Sequence, residues 1–99
     1  MKRTKNMYYT ESHEARELFL FAANAQEIYN RTVSIIENLR KKAQKGAYDP
    51  DKAVDAWYHL SNEASKLYFK WYGFGFTVTE RFTAAVELEK YYRDDMFNF

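Results

Sequence analysis

An all-α fold, a bundle of three helices whose first is unusually long, is what this sequence predicts. Glycine and proline are scarce, with three Gly and one Pro in 99 residues, too few for the tight turns of an all-β chain. Apolar residues recur at steps of three and four along three stretches, the spacing of one helix face. Residues that stop and start helices fall between those stretches.

The first predicted helix covers about residues 12–45. Thr10 or Ser12 can cap it, and Glu11, Glu14 and Glu17 put negative charge near the positive end of its dipole. Its stripe reads Leu18, Phe21, Ala25, Ile28, Thr32, Ile35 and Leu39. Its last turn is basic, and Gly46 suits the position just past the end. Unbroken, such a helix is roughly 50 Å long, which is long for one domain. Asn30–Ser34, with its β-branched Thr32 and Val33, is where a kink or break is expected.

Asp49-Pro50-Asp51 is the strongest local signal. Asp49 caps, Pro50 takes the first helical position where its missing N–H costs nothing, and Asp51 adds favourable charge. The second predicted helix, 50–72, presents Ala53, Trp57, Leu60, Ala64, Leu67 and Trp71 on one face and stops at Gly73. Thr77 and Glu80 have the spacing of a capping box. The third predicted helix, 78–95, carries Val78, Phe82, Ala85, Val86, Glu89, Tyr92 and Met96 with Leu88 and Tyr91 flanking, a stripe clear to Tyr92 that then frays. An unbroken first helix would overhang the second by roughly 15 Å. Its exposed stripe then implies a homo-oligomer or a protein partner.

Residues 1–10 are expected to form a flexible basic segment ahead of one domain over 11–99. The basic start Met1-Lys2-Arg3 is not followed by an apolar core of signal-peptide length, and no run approaches a membrane span. A cytoplasmic protein is therefore expected, with no membrane partner.

Several chemistries lack their residues. With no Cys there is no thiol nucleophile and no thiolate metal site. His13 with Glu17, and His59 with Glu63, are spaced as surface pairs rather than as a bundle metal site, which wants Glu-x-x-His. Serines fall at caps or inside helices, with no Gly-x-Ser-x-Gly turn. The Gly73-Phe74-Gly75 loop lacks the strand and third glycine of a dinucleotide fold. The chain is accordingly expected to be no enzyme and to need no cofactor or metal. Fifteen Lys and Arg against fourteen Asp and Glu give a net charge of +1, so polyanion binding, if present, must be local.

Binding is the function class left. Nine Tyr, eight Phe and two Trp exceed what so small a core readily holds, and surplus rings favour interfaces. Tyr8, Tyr9, Trp71, Tyr72, Phe74 and Phe76 sit near a chain end or in a loop, where rings can anchor a partner or stack on a base. Arg40, Lys41, Lys42 and Lys45 form a basic cluster, and Arg81 lies just inside the third helix. These cations could hold the phosphate of a nucleotide or of a nucleic acid. The cluster also sits where any helix end favours cations.

Two stretches carry a resemblance. Glu37-Asn38-Leu39-Arg40-Lys41-Lys42-Ala43-Gln44-Lys45-Gly46-Ala47-Tyr48-Asp49-Pro50-Asp51-Lys52-Ala53, and later Phe76-Thr77-Val78-Thr79-Glu80-Arg81-Phe82-Thr83-Ala84-Ala85, resemble small, largely uncharacterised helical proteins encoded by tailed bacteriophages. The likeness spans roughly residues 17–93 and consists of helix punctuation and core positions. It implies a setting rather than a chemistry: host takeover or anti-defence, by stoichiometric blocking of a host protein. One alternative it implies is a multimeric sponge for a nucleotide signal; the basic clusters suggest another, nucleic-acid binding. No functional residue is carried over from that group.

Overall fold

The structure is a computed structural model and describes residues 13–98. It comprises α1 (His13–Asn24), a 3-10 turn (Gln26–Ile28), α2 (Tyr29–Gln44), α3 (Pro50–Tyr72) and α4 (Val78–Met96). The described residues are helical with no strand, as expected, but the helices number four rather than three.

The extra helix arises because the long first helix is broken at Ala25, upstream of the stretch expected to yield. Ala25 is extended (φ −74°, ψ 121°). Its N–H donates to the Phe21 carbonyl at 2.9 Å, and the Asn24 side-chain amide donates to the Leu20 carbonyl at 2.8 Å. Together they close α1. The cause lies in the apolar register. Before the break the buried residues are Ala15, Leu18, Phe19 and Ala22; after it they are Ile28, Thr32, Ile35, Leu39 and Ala43. On one continuous helix these two faces would point about 110° apart at 3.6 residues per turn. Breaking the rod turns both faces to the same core. Thr32, within the stretch where a break is expected, stays helical, and its hydroxyl donates to the Ile28 carbonyl at 3.3 Å.

Two shorter rods no longer overhang α3, so the overhang argument for a homo-oligomer falls away. Both α1 and α2 pack across α3 and α4, which form the most extensive helix pair. The Cα positions span 44 × 31 × 17 Å, and the short dimension fits two helix layers at 8–10 Å spacing.

The expected punctuation is present. Asp49 accepts from the Asp51 N–H at 3.0 Å with Pro50 in the first turn of α3. Gly73 and Gly46 take positive φ, 73° and 71°, past the ends of α3 and α2, a region that favours glycine. The Thr77 hydroxyl accepts from the Glu80 N–H at 3.1 Å while Glu80 accepts from the Thr77 N–H at 2.8 Å, completing the capping box of α4.

Ala15, Ala53, Ala64, Ala84 and Ala85 are fully buried beside Leu18, Trp57, Leu60, Leu88 and Met96. Small residues at these crossings let helix axes approach closely. Trp57 stacks on Tyr92 with ring centroids 4.8 Å apart. The buried face of α4 differs from the expected stripe. Val78 and Phe82 point outward, 61% and 51% exposed, while Thr83, Ala84 and Leu88 are buried. α4 is contacted by all three other helices, so it buries a broad arc rather than one stripe. It ends at Met96, one residue past the expected bound.

Candidate binding surface

Where α3 ends beside α1, the rings form a connected cluster. Tyr68 is its hub, 5.0 Å from Phe21, 4.7 Å from Tyr72, 6.3 Å from Phe74 and 5.0 Å from Phe76, centroid to centroid. Phe21 also meets Trp71 edge-on at 5.6 Å, and Phe74 meets Phe76 edge-on at 5.0 Å. All but the tilted Tyr68–Tyr72 pair are edge-to-face, an arrangement that ring quadrupoles favour.

The local reason is helix geometry. Tyr68, Trp71 and Tyr72 are three and four residues apart on α3 and share a side. Gly73 in the left-handed conformation then turns the chain so that Phe74 and Phe76 fold back onto Tyr68. Phe76 is buried and plugs the end of the bundle, while Trp71, Tyr72 and Phe74 remain 46%, 64% and 44% exposed. The ring surface is therefore anchored below and open above.

A groove beside the cluster is lined by His13, Glu14 and Glu17 of α1 together with Tyr68, Phe74 and Phe76. The Tyr68 hydroxyl donates to Glu17 at 3.4 Å. Burial, and then the Glu17 carboxylate, raise the Tyr68 phenol above its ordinary value, so it stays a protonated donor at neutral pH.

The predicted cations lie elsewhere. Arg40 donates through Nε to the Asp95 carbonyl at 3.1 Å, tying α2 to the end of α4. Lys41, Lys42 and Lys45 are exposed at the end of α2, next to the loop that leads into Pro50. The ring cluster is at the other end of α3, whose 23 residues span about 33 Å. Within one chain, then, Trp71, Tyr72 and Phe74 do not converge with Arg40, Lys41 or Lys42.

Arg81 is near the rings but engaged. Its guanidinium donates to Asn62 Oδ1 at 2.8 Å and to the Phe76 carbonyl, and its own carbonyl accepts from the Ser61 hydroxyl at 2.7 Å. Tyr48, the ring nearest the basic cluster in sequence, packs on Phe97 at 5.3 Å and donates to Glu89 at 2.8 Å. Tyr8 and Tyr9, with the basic segment 1–10, lie outside the described residues.

Two members of the ring surface stand out less in the sequence: Phe21 reads as an ordinary stripe residue, and Tyr68 only adjoins the apolar face of the second predicted helix. The excess of rings around residues 68–76 is a signal that could have found Tyr68, whereas nothing local marks Phe21. Among the described residues, no group of three or more Asp, Glu and His side chains is placed to hold a metal ion, and no helix is long and apolar enough to cross a membrane. Comparisons with protein-family models, curated proteins and solved structures find no match.

Proposed function

We propose that this chain is a non-enzymatic binding protein that blocks a host protein stoichiometrically. Its docking face is the ring surface of Trp71, Tyr72 and Phe74. The observation that carries the reading is that these rings are exposed yet fixed, each braced by Phe21, Tyr68 or Phe76. Rigid aromatic anchors lose little conformational entropy on binding, and Trp and Tyr dominate the energetics of protein interfaces. In the setting that the phage resemblance implies, the partner is a protein of the infected bacterium, met in the cytoplasm, and the outcome is host takeover or anti-defence.

The separation of rings from cations favours this reading over a nucleotide sponge built from Trp71 with Arg40, Lys41 and Lys42. Nucleic-acid binding through the Arg40–Lys45 cluster is disfavoured because Tyr48, the ring beside it in sequence, is packed on Phe97 and bonded to Glu89.

The test is capture from infected-cell lysate with wild type and with Trp71→Ala/Tyr72→Ala, both checked for equal thermal stability. The reading expects a captured host protein in about equimolar amount, lost in the double variant. Equal capture by the double variant would overturn it.

A further inference from the structure

Beside the ring cluster, where Arg81 bonds the Phe76 carbonyl, Asn62, Ser65 and Lys66 of α3 and Arg81 of α4 line a cleft of their own. None of the four is acidic. Arg81 is half-buried, and its guanidinium is held by neutral acceptors only, Asn62 Oδ1 at 2.8 Å and the Phe76 carbonyl. A positioned guanidinium ordinarily answers a carboxylate or a phosphate. The acids adjacent in sequence are engaged elsewhere: Glu63 pairs with Arg31, and Glu80 caps the Thr77 N–H. Among the described residues the ion pairs are Arg31–Glu63 and Arg93–Glu89, so neither Lys66 nor Arg81 is neutralised by one. Arg81 also lies early in α4, where the helix dipole disfavours a cation.

We propose that this cleft binds a phosphate group. The free guanidinium N–H groups of Arg81, the Lys66 ammonium, the Ser65 hydroxyl and the Asn62 amide are all donors. Two formal positive charges match a phosphate dianion better than a single carboxylate. Ser65 is 8% exposed, so its hydroxyl sits at the floor of the cleft rather than in bulk water. The phosphate is either free orthophosphate or the ester of a larger molecule. Phe69, one helical turn beyond Ser65 and 59% exposed, offers a face on which the ring of such an ester would stack.

The experiment is an NMR titration of the whole chain with sodium phosphate, run against sodium chloride at matched ionic strength, with adenosine monophosphate as a second arm. The proposal expects saturating shifts at Asn62, Ser65, Lys66 and the Arg81 side chain, with affinity reduced about tenfold or more by Lys66→Ala. Lys66 is exposed, so that variant keeps its fold even if Arg81→Gln does not. Tighter binding of the nucleotide than of orthophosphate, abolished by Phe69→Ala, identifies an ester; equal binding identifies phosphate alone. Shifts that never saturate, match those in chloride, or survive Lys66→Ala unchanged overturn the proposal. That result would leave the role of the ring surface standing.

Discussion

Glu89 and Arg93, one turn apart on α4, form a two-pronged ion pair with unequal ends. The carboxylate is 2% exposed and the guanidinium 44%, with Nε and Nη2 of Arg93 at 2.7 and 2.5 Å from the two oxygens. Tyr48 supplies a further donor at 2.8 Å. The pair therefore satisfies a buried charge and, through Tyr48, holds the loop before α3 against α4. Removing a donor leaves that charge under-satisfied. Tyr48→Phe should cost about 1.5–3 kcal/mol, the usual value of a hydrogen bond to a charged group. Urea denaturation at neutral pH measures it.

The same carboxyl makes stability depend on acid. Burial pushes the Glu89 carboxyl up, but the hydrogen bonds from Arg93 and Tyr48 outweigh it and hold it below the usual carboxylate range. The folded state thus binds this proton less readily than the unfolded state. Its contribution is complete above the unfolded pKa of about 4.3 and is lost as pH falls through the lower folded value. Urea midpoints followed from neutral pH into acid should fall more steeply for wild type than for Glu89→Gln.

The break at Ala25 has a discriminating substitution. Gln26 opens the 3-10 turn and is exposed, and Ala25 before it is extended. Both conditions suit a proline at 26, where the residue ahead must be extended and the N–H is dispensable. Gln26→Pro should be neutral or stabilise by up to about 1 kcal/mol. In an unbroken helix the same change would cost about 3 kcal/mol. Thermal melting of the single variant decides between the two.

Trp57 is fully buried, and its Nε1–H has no hydrogen-bond partner among the described residues. Trp57→Phe removes an unpaired donor while keeping a ring against Tyr92, and those opposed effects should leave a net cost below about 1.5 kcal/mol. Trp57→Ala keeps no such offset and should cost about 3–5 kcal/mol. Denaturant midpoints of the two variants give the comparison.

What the sequence disclosed was what short-range chemistry governs. Asp49-Pro50, Gly73 and the Thr77–Glu80 box each act within four residues, and their positions could be read directly. The break at Ala25 could not, because its cue is not a residue type but a rotation of the apolar face between Ala22 and Ile28. The β-branched Thr32 is a false cue, because its hydroxyl settles onto the Ile28 carbonyl and the helix continues. The outward turn of Val78 and Phe82 was hidden because α4 is packed by three neighbours, and stripe reading assumes one. Among the site residues, Trp71, Tyr72, Phe74 and Phe76 gather as a cluster because they are close in sequence. Their separation from Arg40, Lys41 and Lys42 depends on the direction of α3, which no local pattern reveals.

That separation makes the central claim directly measurable. A photo-crosslinking residue placed at Tyr72, and separately at Lys41, can be irradiated in infected cells and the adducts compared. A docking face made of rings predicts a discrete adduct with one host protein from position 72 and none with that protein from position 41. An adduct from position 41 alone, or none from position 72 when the Lys41 variant captures a partner, would contradict it.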